Sequence, residues 1–444
     1  MTTDLIIIGA GAAGLMAACR AGEAGLNCLL LERRHRPGLK LLMCGNNRCN
    51  LSHAGNAASL MRDYGEPVGT FLETALQECP PSVLRKWFSN CGLETVVQRD
   101  RIYPRSGKAD DVLYCFTDRL RDLEVPFMLN CPAQKISPLA DGFEVTCGKV
   151  CLRSRFVLLA SGGVSYPKTG SVGDGQRMAA ELGLRLEPYR PGLAGIEVSD
   201  AWLMNRSSRM EVGIPSVRVR VFSQNQEVAA TEGNLLADGN CLRGSAIFDA
   251  TRILARREIS NFSLRLDLFP EHTPALLEQR LRTAWQKTGQ AAATLNALEL
   301  DHAFAAGLSQ KLQGAFQAAD FAGLAAALKS MPLNDPVIRP LKEAIVTIGG
   351  VALDEIDGKT MQSRKLPGLF FAGEVMDVDG PTGGYNLHAA FASARLAIQT
   401  IAEKSQNHQS SKQKRSERTP RDEKKQKPKR KAAWGKNFWD GYLR

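Results

Sequence analysis

Two cysteines in the stretch LLMCGNNRCNLSH, residues 41–53, have a spacing that could support chemistry. Cys44 and Cys49 flank a Gly-Asn-Asn-Arg turn, and a pair spaced C-x4-C after a first βαβ unit is found in redox-active dithiols. A zinc knuckle that includes His53 is a weaker interpretation, because a structural zinc site needs four ligands and no fourth lies at a suitable spacing. A loop that contacts a bound cofactor is the interpretation we favour.

A glycine motif near the N-terminus predicts a nucleotide site. Gly9, Gly11 and Gly14 form G-x-G-x-x-G between an apolar strand, residues 5–8, and a helix. The first glycine permits the tight turn, the second lets the backbone approach a pyrophosphate, and the third lets helix and strand pack closely. Glu32 ends the second strand, where its carboxylate can accept both ribose hydroxyls and would repel the extra phosphate of NADP.

The segment LPGLFFAGEVMDVDGPTGGYNLHAAF, residues 366–391, predicts a second part of the same site. A buried strand precedes Asp377 and Asp379, and Gly383 and Gly384 then open a helix. A carboxylate at this strand end can bind the ribityl chain of a flavin, and the helix N-terminus would stabilise the reduced flavin. A glycine-rich turn with solvated acids is the alternative. Because no second G-x-G-x-x-G unit follows, NAD(P)H as reductant would dock without a dedicated domain.

The composition is that of an ordinary globular protein with a basic tail. Of the 444 residues, 44% are hydrophobic and 23% are charged, and no run approaches the roughly 18 apolar residues of a membrane span. The N-terminus is not a signal peptide, and eleven cysteines without a framework spacing fit a reducing compartment, so we expect a cytoplasmic location. Residues 405–444 hold thirteen Lys or Arg against four Asp or Glu, so most of the net charge of +11 belongs to the tail.

Periodicity divides the chain into an interrupted nucleotide-binding domain, an insert and a tail. Alternating stretches such as VRVRVF predict a β-rich insert, and Thr273 followed by Pro274 begins its helical portion. The expected fold class is α/β, with a discontinuous Rossmann-like FAD-binding domain, an inserted β-barrel-like domain and a small helical subdomain. The predicted ranges are 1–187 and 342–402 for the FAD-binding domain, with a last helix at about 386–402, then 188–341 for the insert, with helices at about 273–331, and 403–444 for a basic disordered tail.

Four segments resemble the signature blocks of the bacterial HI0933-like flavoproteins, also called the BaiN/RdsA family. They read GLKLLMCGNNRCNLSH, RIYPRSGKADDVL, LASGGVSYPKTGSVGDGQRMAAELG and TIGGVALDEIDGKTMQSRKLPGLFFAGEVMDVDGPTGGYNLHAAF. The resemblance covers residues 1 to about 402 and implies an FAD fold with an inserted domain. Family members are associated with flavin-dependent reduction of carbon–carbon double bonds, in bile-acid intermediates and in a uridine of large-subunit ribosomal RNA.

The family pattern also implies which residues bind FAD. Carried over position by position, it assigns to the FAD site Gly9, Gly11, Ala12, Ala13, Gly14, Glu32, Lys40, Gly45, Arg48, Cys49, Asn50, Gly162, Gly163, Gly373, Glu374, Asp377, Gly383, Gly384, Tyr385 and Asn386. The family loop usually reads Ser-Gly-Gly-Gly-Arg-Cys-Asn, whereas this chain has Cys44 for the serine and Asn46-Asn47 for two glycines. Asparagine tolerates positive φ better than most residues, so the turn can survive. The insert's usual Gly-Leu-Ser-Gly reads CLRGSAIF here, so the substrate side departs further from the pattern than the FAD side.

The reaction that the resemblance implies requires a proton donor and a group that polarises a carbonyl. Hydride goes to one carbon of an enone or uracil ring and a proton goes to its neighbour. Tyr166 or Cys49 could donate the proton, and Lys168 could polarise the carbonyl or pair with a phosphate. A structural turn is the alternative for the loop that carries Tyr166 and Lys168, and no metal site is predicted.

The basic tail favours RNA as the partner. Its cations can release counterions from a phosphate backbone, and its aromatic residues can stack on unpaired bases. The aromatic residues are Trp434, Phe438, Trp439 and Tyr442. A solvated tail, or one that contacts acidic proteins or lipid head groups, is the alternative.

We therefore expect a cytoplasmic FAD-dependent oxidoreductase that reduces a carbon–carbon double bond, with a ribosomal RNA uridine as the leading substrate and dihydrouridine as the product. A small-molecule ene-reductase and a flavin-bearing RNA-binding or ribosome-assembly factor are alternatives. A thiol–disulfide oxidoreductase that uses Cys44 and Cys49 is a further one, although the chain lacks the nicotinamide domain and the His-Pro-Thr base motif of flavin-dependent disulfide reductases.

Overall fold

The computed structural model describes residues 2–204 and 212–417. Its strands are β1 (Thr2–Ile8), β2 (Cys28–Leu31), β3 (Ser52–His53), β4 (Thr95–Gln98), β5 (Arg101–Pro104), β6 (Phe127–Met128), β7 (Lys135–Leu139), β8 (Gly142–Cys147), β9 (Val150–Leu159), β10 (Leu186–Gly192), β11 (Ile196–Glu197), β12 (Val212–Ser223), β13 (Gln226–Asp238), β14 (Cys241–Arg243), β15 (Ser263–Asp267), β16 (Met331–Leu333), β17 (Val337–Ile338), β18 (Val346–Val351), β19 (Ile356–Asp357), β20 (Gln362–Ser363) and β21 (Leu369–Phe371).

The α-helices are α1 (Ala12–Glu23), α2 (Leu39–Met43), α3 (Ala57–Tyr64), α4 (Val68–Glu78), α5 (Pro81–Asn90), α6 (Ala109–Asp122), α7 (Asp174–Glu181), α8 (Ala201–Met204), α9 (Ser245–Arg256), α10 (Pro274–Thr288), α11 (Ala291–Asn296), α12 (His302–Lys311), α13 (Gln313–Gln317), α14 (Phe321–Lys329) and α15 (Tyr385–Glu417). Single 3₁₀ turns cover Pro167–Thr169, Leu341–Glu343, Leu353–Glu355 and Gly373–Val375. In the described residues, no helix is long and apolar enough to cross a bilayer.

A parallel sheet forms the centre of the nucleotide-binding domain. Its parallel strands lie in the order β6, β2, β1, β9, β21, and the hairpin of β7 and β8 joins it antiparallel through β9. In β1 the residues Leu5–Ile8 are buried on both faces, as their unbroken apolar run predicts. The chain runs outward from β1 to β2 on one side and to β9 on the other. This reversal creates a crevice at the carboxyl ends of β1 and β9, where ligands bind in such sheets.

The insert forms its own antiparallel sheet and core. The order of its strands is β16, β15, β12, β13, β14, β11, β17, so the two edge strands are separated by only three residues of chain. That short link requires the sheet to curl back toward itself. Helices α10 to α14 form the helical portion expected at about 273–331, and α9 packs on β13. The mixed α/β fold class is confirmed, and β10 spans the predicted boundary between residues 187 and 188, because it pairs with β18.

The last helix continues beyond its expected end. The sequence predicts an end near residue 402 and disorder from 403, whereas α15 runs to Glu417. Each residue added to an established helix gains a hydrogen bond without a new nucleation cost, so a polar sequence can extend it. The rest of the predicted tail, from 418 to 444, lies outside the described residues.

His388 anchors the start of α15 in the core. It is fully buried, and its Nδ1 atom lies 2.8 Å from the hydroxyl oxygen of Ser52 in β3. Burial lowers the pKa of His388 to about 4, because the charged imidazolium would lose its solvation. The side chain therefore packs as a neutral ring at physiological pH.

Mild acid should destabilise the protein through His388. Its folded pKa lies below the unfolded value of about 6.5, so the stabilising contribution is complete above pH 6.5 and is lost as the pH falls toward 4. The loss amounts to about 3 kcal/mol, since one pKa unit corresponds to about 1.4 kcal/mol. Urea unfolding between pH 7 and pH 4.5 measures it. His388→Gln should flatten this part of the profile, and His35→Gln, at an exposed position, should not; equal slopes in both variants would contradict the assignment.

Candidate active site

A cavity of about 470 Å³ lies at the carboxyl ends of the parallel strands and is lined on its other side by residues of the insert. This volume lies within the range of small-molecule and cofactor sites. The predicted FAD residues that line the cavity are Gly9, Gly11, Ala12, Ala13, Glu32, Lys40, Gly45, Asn50, Gly162, Gly373, Glu374, Gly383, Gly384 and Asn386. The predicted residues that do not line it are Gly14, Arg48, Cys49, Gly163, Asp377 and Tyr385. The structure thus brings most of the predicted cofactor residues to one cavity.

The three glycines of the first turn differ in what surrounds them. A Cβ atom on Gly9 would lie 2.6 Å from the Ala160 carbonyl oxygen, and its φ of +103° favours glycine. A Cβ atom on Gly14 would lie only 1.7 Å from the Gly9 carbonyl oxygen. Gly11 has no atom within 4 Å of its Cβ position and lines the cavity, so its backbone is open to a ligand. This is the cradle that a pyrophosphate needs at the N-terminus of α1.

Glu32 is held rigidly beside this cradle. Its carboxylate oxygens accept hydrogen bonds from the backbone N–H groups of Ala10 and Arg34, each at 2.8 Å. Burial raises the pKa of Glu32, and those N–H groups oppose the rise. The carboxylate lines the cavity at the end of β2, where the sequence predicts a ribose contact.

A second polar cluster lies at the end of β21. The Lys40 ammonium group donates to the carboxylate of Glu374 and to the hydroxyl of Ser165, both at 2.7 Å. The other carboxylate oxygen of Glu374 accepts a 2.6 Å hydrogen bond from the backbone N–H of Thr347. Lys40 and Glu374 both face the cavity, so their opposite charges are fixed before any ligand binds.

Two buried polar atoms in the cavity wall have no partner within the described residues. They are the side-chain oxygens of Asn50 and Ser161. An orphaned buried polar atom costs free energy unless a ligand or water satisfies it. Together with the open Gly11 backbone and the Gly383-Gly384 turn before α15, these atoms fit a dinucleotide such as FAD.

The structure directs Asp377 away from the cavity. Its carboxylate lies 2.9 Å from Nη1 of Arg256 in α9 and accepts from the backbone N–H of Gly349 at 2.8 Å. Asp379, which is fully buried, pairs with Arg256 and, at 2.5 Å, with Nε of Arg252. We call these four charged residues the arginine–aspartate clamp. It joins the insert to the loop before α15, so contact of Asp377 with a ribityl chain remains a prediction.

Helix α9 is the functional element that sequence reasoning missed. Asp249, Arg252 and Arg256 follow each other at helical spacing and so lie on one face. Asp249 accepts hydrogen bonds from the backbone N–H of Thr382 at 2.7 Å and from its hydroxyl at 2.9 Å. The spacing could have shown that one face is charged, but not that its partners follow more than 120 residues later.

The three predicted catalytic residues all lie outside the lining of the cavity. Cys49 is fully buried, Tyr166 is half-buried with φ +53°, and Lys168 is exposed in a 3₁₀ turn. The residues that follow in that loop, 169–171, line the cavity instead, and so does Cys44. The catalytic roles of Cys49, Tyr166 and Lys168 therefore remain predictions.

Both thiols of the C-x4-C loop resist ionisation. Burial raises the pKa of Cys44 to about 11 and that of Cys49 well above its usual range. A thiolate is the nucleophile in disulfide exchange, so neutral thiols argue against a redox dithiol. No cluster of His, Cys, Asp or Glu in the described residues is arranged to hold a metal ion.

Replacing Gly14 and Gly11 by alanine should separate folding from cofactor binding. Gly14→Ala should lower the free energy of unfolding by about 1–3 kcal/mol, because its Cβ atom overlaps a carbonyl oxygen. Gly11→Ala should unfold like the wild type but bind FAD more weakly, since its methyl group enters the cradle. Urea unfolding of the flavin-free protein and quenching of FAD fluorescence measure the two effects. Equal stability of the two variants would contradict this division.

Breaking the arginine–aspartate clamp should cost more than breaking a surface ion pair. Arg256→Met removes the ion pairs of Arg256 with Asp377 and Asp379. Loss of one partner of a buried ion pair lowers the free energy of unfolding by about 3–5 kcal/mol. The matched control is Arg121→Met, which removes an exposed pair with Asp118 and should cost about 1 kcal/mol or less. Urea unfolding compares them, and equal losses would show that the clamp is not energetically special.

The chain is similar to known proteins over most of its length. Residues 3–400 match the HI0933-like protein Rossmann domain. The ribosomal RNA dihydrouridine synthase of Escherichia coli (strain K12) is 29% identical over 413 residues, which cover 90% of this chain and 98% of that protein. The 3-dehydro-bile acid delta(4,6)-reductase of Clostridium scindens is 28% identical over 416 residues, with the same two coverages.

Among solved structures, the 3-ketosteroid delta1-dehydrogenase from Sterolibacterium denitrificans shares the fold, with a TM-score of 0.53 and 14% identity over 91% of this chain and 100% of that chain. These matches confirm the predicted flavoprotein fold, FAD as the cofactor and an oxidoreductase as the class of protein. Because the match extends over nearly the whole chain, the protein belongs to the HI0933-like family.

Proposed function

We propose that this protein uses FAD to reduce a carbon–carbon double bond, and that its leading substrate is a uridine of large-subunit ribosomal RNA. The observation that carries the proposal is the cavity, which joins the glycine cradle of the Rossmann domain to a wall of insert residues. A site of this form can hold a dinucleotide on one side and a second molecule on the other. Bound FAD, once reduced, would supply hydride.

The residues of the chain have separable roles in this proposal. The turn at Gly11 and the N-terminus of α1 would bind the phosphates, and Glu32 would hold a ribose. The side-chain oxygens of Asn50 and Ser161, which have no partner in the described residues, would form hydrogen bonds with the cofactor. Phe248, with Leu193 and Leu236, would keep water away from the reacting carbons on the insert side.

The choice of RNA rests on a relative and on the tail. The Escherichia coli relative is named for dihydrouridine synthesis in ribosomal RNA, and the tail of this chain combines cations with aromatic residues. The Clostridium scindens relative is named for reduction of a bile acid, so a small-molecule ene-reductase is the second candidate. The raised pKa values of Cys44 and Cys49 weigh against a thiol–disulfide oxidoreductase.

We infer that the reductant, for which NAD(P)H is the candidate, docks at the same cavity. The chain has no second strand-G-x-G-x-x-G-helix unit that would give NAD(P)H its own domain. Hydride transfer to the cofactor and from it would then alternate at one site. Tyr166 and Cys49 remain candidate proton donors and Lys168 a candidate partner for a carbonyl or a phosphate.

Anaerobic reduction and reoxidation test the proposal. The purified protein should show flavin absorbance that NADH or NADPH bleaches, and the colour should return when unmodified ribosomal RNA or an enone is added. Mass spectrometry should find dihydrouridine in the RNA. In cells, deletion of the gene should remove one dihydrouridine from large-subunit ribosomal RNA.

Each outcome separates the candidates. A protein that takes up no FAD contradicts the proposal as a whole. Reoxidation by the enone alone, with unchanged dihydrouridine in the deletion strain, favours the small-molecule reductase. Salt-sensitive RNA binding without turnover under either reductant favours an RNA-binding or assembly factor. Removal of residues 418–444 should weaken RNA turnover and leave enone turnover unchanged.

A further inference from the structure

Most charged side chains that line the cavity already have partners in the described structure. Arg33 pairs with Asp174 at 2.6 Å, and Lys40 pairs with Glu374 at 2.7 Å. Arg36 lies 3.2 Å from Asp110, and Glu32 accepts from two backbone N–H groups. These charged groups already form ion pairs or hydrogen bonds within the protein, so they are less available to bind a substrate.

Arg101 is an exception within the part of the chain that the structure describes. It lines the cavity and is half-buried, and its guanidinium group has no hydrogen bond or ion pair to a described residue. Tyr103 lies two residues further along β5, so both side chains point to the same face of the strand. Tyr103 also lines the cavity, and its hydroxyl has no described hydrogen-bond partner.

The surroundings of Arg101 place it at the boundary between the cofactor wall and the insert. Its Nε atom lies 3.8 Å from the position that a Cβ atom on Gly383 would take, in the turn just before α15. On the insert side, burial raises the pKa of Asp249 in α9, and the charge of Arg101 is among the groups that oppose this rise. Phe248, the residue before Asp249, lines the same cavity.

Arg48 keeps Tyr103 in place. Its guanidinium carbon lies 4.4 Å from the centroid of the Tyr103 ring, and its Nη2 donates to Gln98 of β4 at 2.5 Å. A cation over the ring face stabilises the ring position. The exposed Arg48 thus supports Tyr103 from outside and does not itself reach the cavity.

We propose that Arg101 and Tyr103 form the carbonyl-binding end of the substrate site, which accepts a planar ring with a carbonyl conjugated to the double bond. The assignment rests on the proposed function. An arginine fork and a phenol can donate hydrogen bonds to a carbonyl oxygen such as those of uracil or an enone. Donors aimed at this oxygen stabilise the negative charge that it gains as hydride adds to the conjugated carbon. Phe248 offers an apolar aromatic surface to the same ring.

Four proteins test the assignment, each loaded with FAD. Arg101→Met should lower kcat/KM for reoxidation of the reduced flavin by about 10²–10³, the cost of losing one such donor. Arg101→Lys should recover part of this loss, and Tyr103→Phe should lose less. The matched control is Arg105→Met on the same segment, whose arginine is exposed and pairs with Glu94 outside the cavity. FAD affinity and bleaching by NAD(P)H should stay at wild-type levels in all four.

Titration of the oxidised holoprotein with a uridine-containing oligoribonucleotide and with cyclohex-2-enone supplies a readout that needs no turnover. Either probe should shift the flavin absorbance of the wild type, and Arg101→Met should abolish the shift. A shift lost in the variant while the wild type shows no turnover would uphold the assignment and remove the proposed function. Turnover by the Arg101→Met variant at the wild-type rate would overturn the assignment. Loss of FAD from that variant would overturn it as well. A wild type that binds neither probe would overturn both.

Discussion

The arginine–aspartate clamp is the interaction on which the site depends. The cavity has two walls from parts of the chain that fold around separate cores, and the clamp holds them in register. Asp379 is fully buried, so its charge is tolerable only with Arg252 and Arg256 against it. Buried ion pairs of this kind add little net stability compared with apolar packing. An arrangement that separates the two partners is nevertheless strongly destabilised, because it leaves a buried charge without a partner. The clamp therefore fixes a geometry more than it strengthens the fold.

Fixed polar groups recur around the rest of the cavity. Glu32 is held by two backbone N–H groups, and Lys40 is held between Glu374 and Ser165. Groups that are oriented before a ligand arrives do not have to reorganise when it binds. The side-chain oxygens of Asn50 and Ser161, by contrast, have no hydrogen-bond partner in the described residues. The wall thus contains both groups that are already bonded within the protein and polar atoms that have no partner in the described residues.

The C-x4-C loop has asparagine at two positions where the family pattern has glycine. Asn46, Asn47 and Cys49 all have positive φ values between 55° and 63°, a region in which most residues other than glycine and asparagine are strained. Asparagine is the residue that best replaces glycine there. Gly45, at φ +59°, retains the glycine where the Asn50 backbone comes within 3.2 Å of its Cβ position. In this loop Cys44 lines the cavity, whereas Cys49 is fully buried and does not line it.

The sequence by itself determined the glycine cradle, the order of strand, turn and helix around it, and the helix that Thr273 caps. These features depend on neighbours in the chain: a turn needs glycine at a given φ, and a cap needs an oxygen three residues before its donor. Periodicity likewise revealed the β-rich insert, because alternation reports burial on one face of a strand. Periodicity did not predict the part of α15 beyond residue 402, because that part is polar and extends a helix that is already formed.

Only the tertiary structure decided which side chains meet in the cavity. Asp377 lies where the family pattern places a cofactor ligand, yet an arginine 121 residues earlier takes its carboxylate. Arg101 and Tyr103 look like any two residues of a short strand, and only the tertiary structure brings β5 to the cavity, with Arg101 near the Gly383 turn. Local sequence specifies which face of an element is buried. It does not specify which distant element covers that face, because the partner is chosen by the packing of the whole chain.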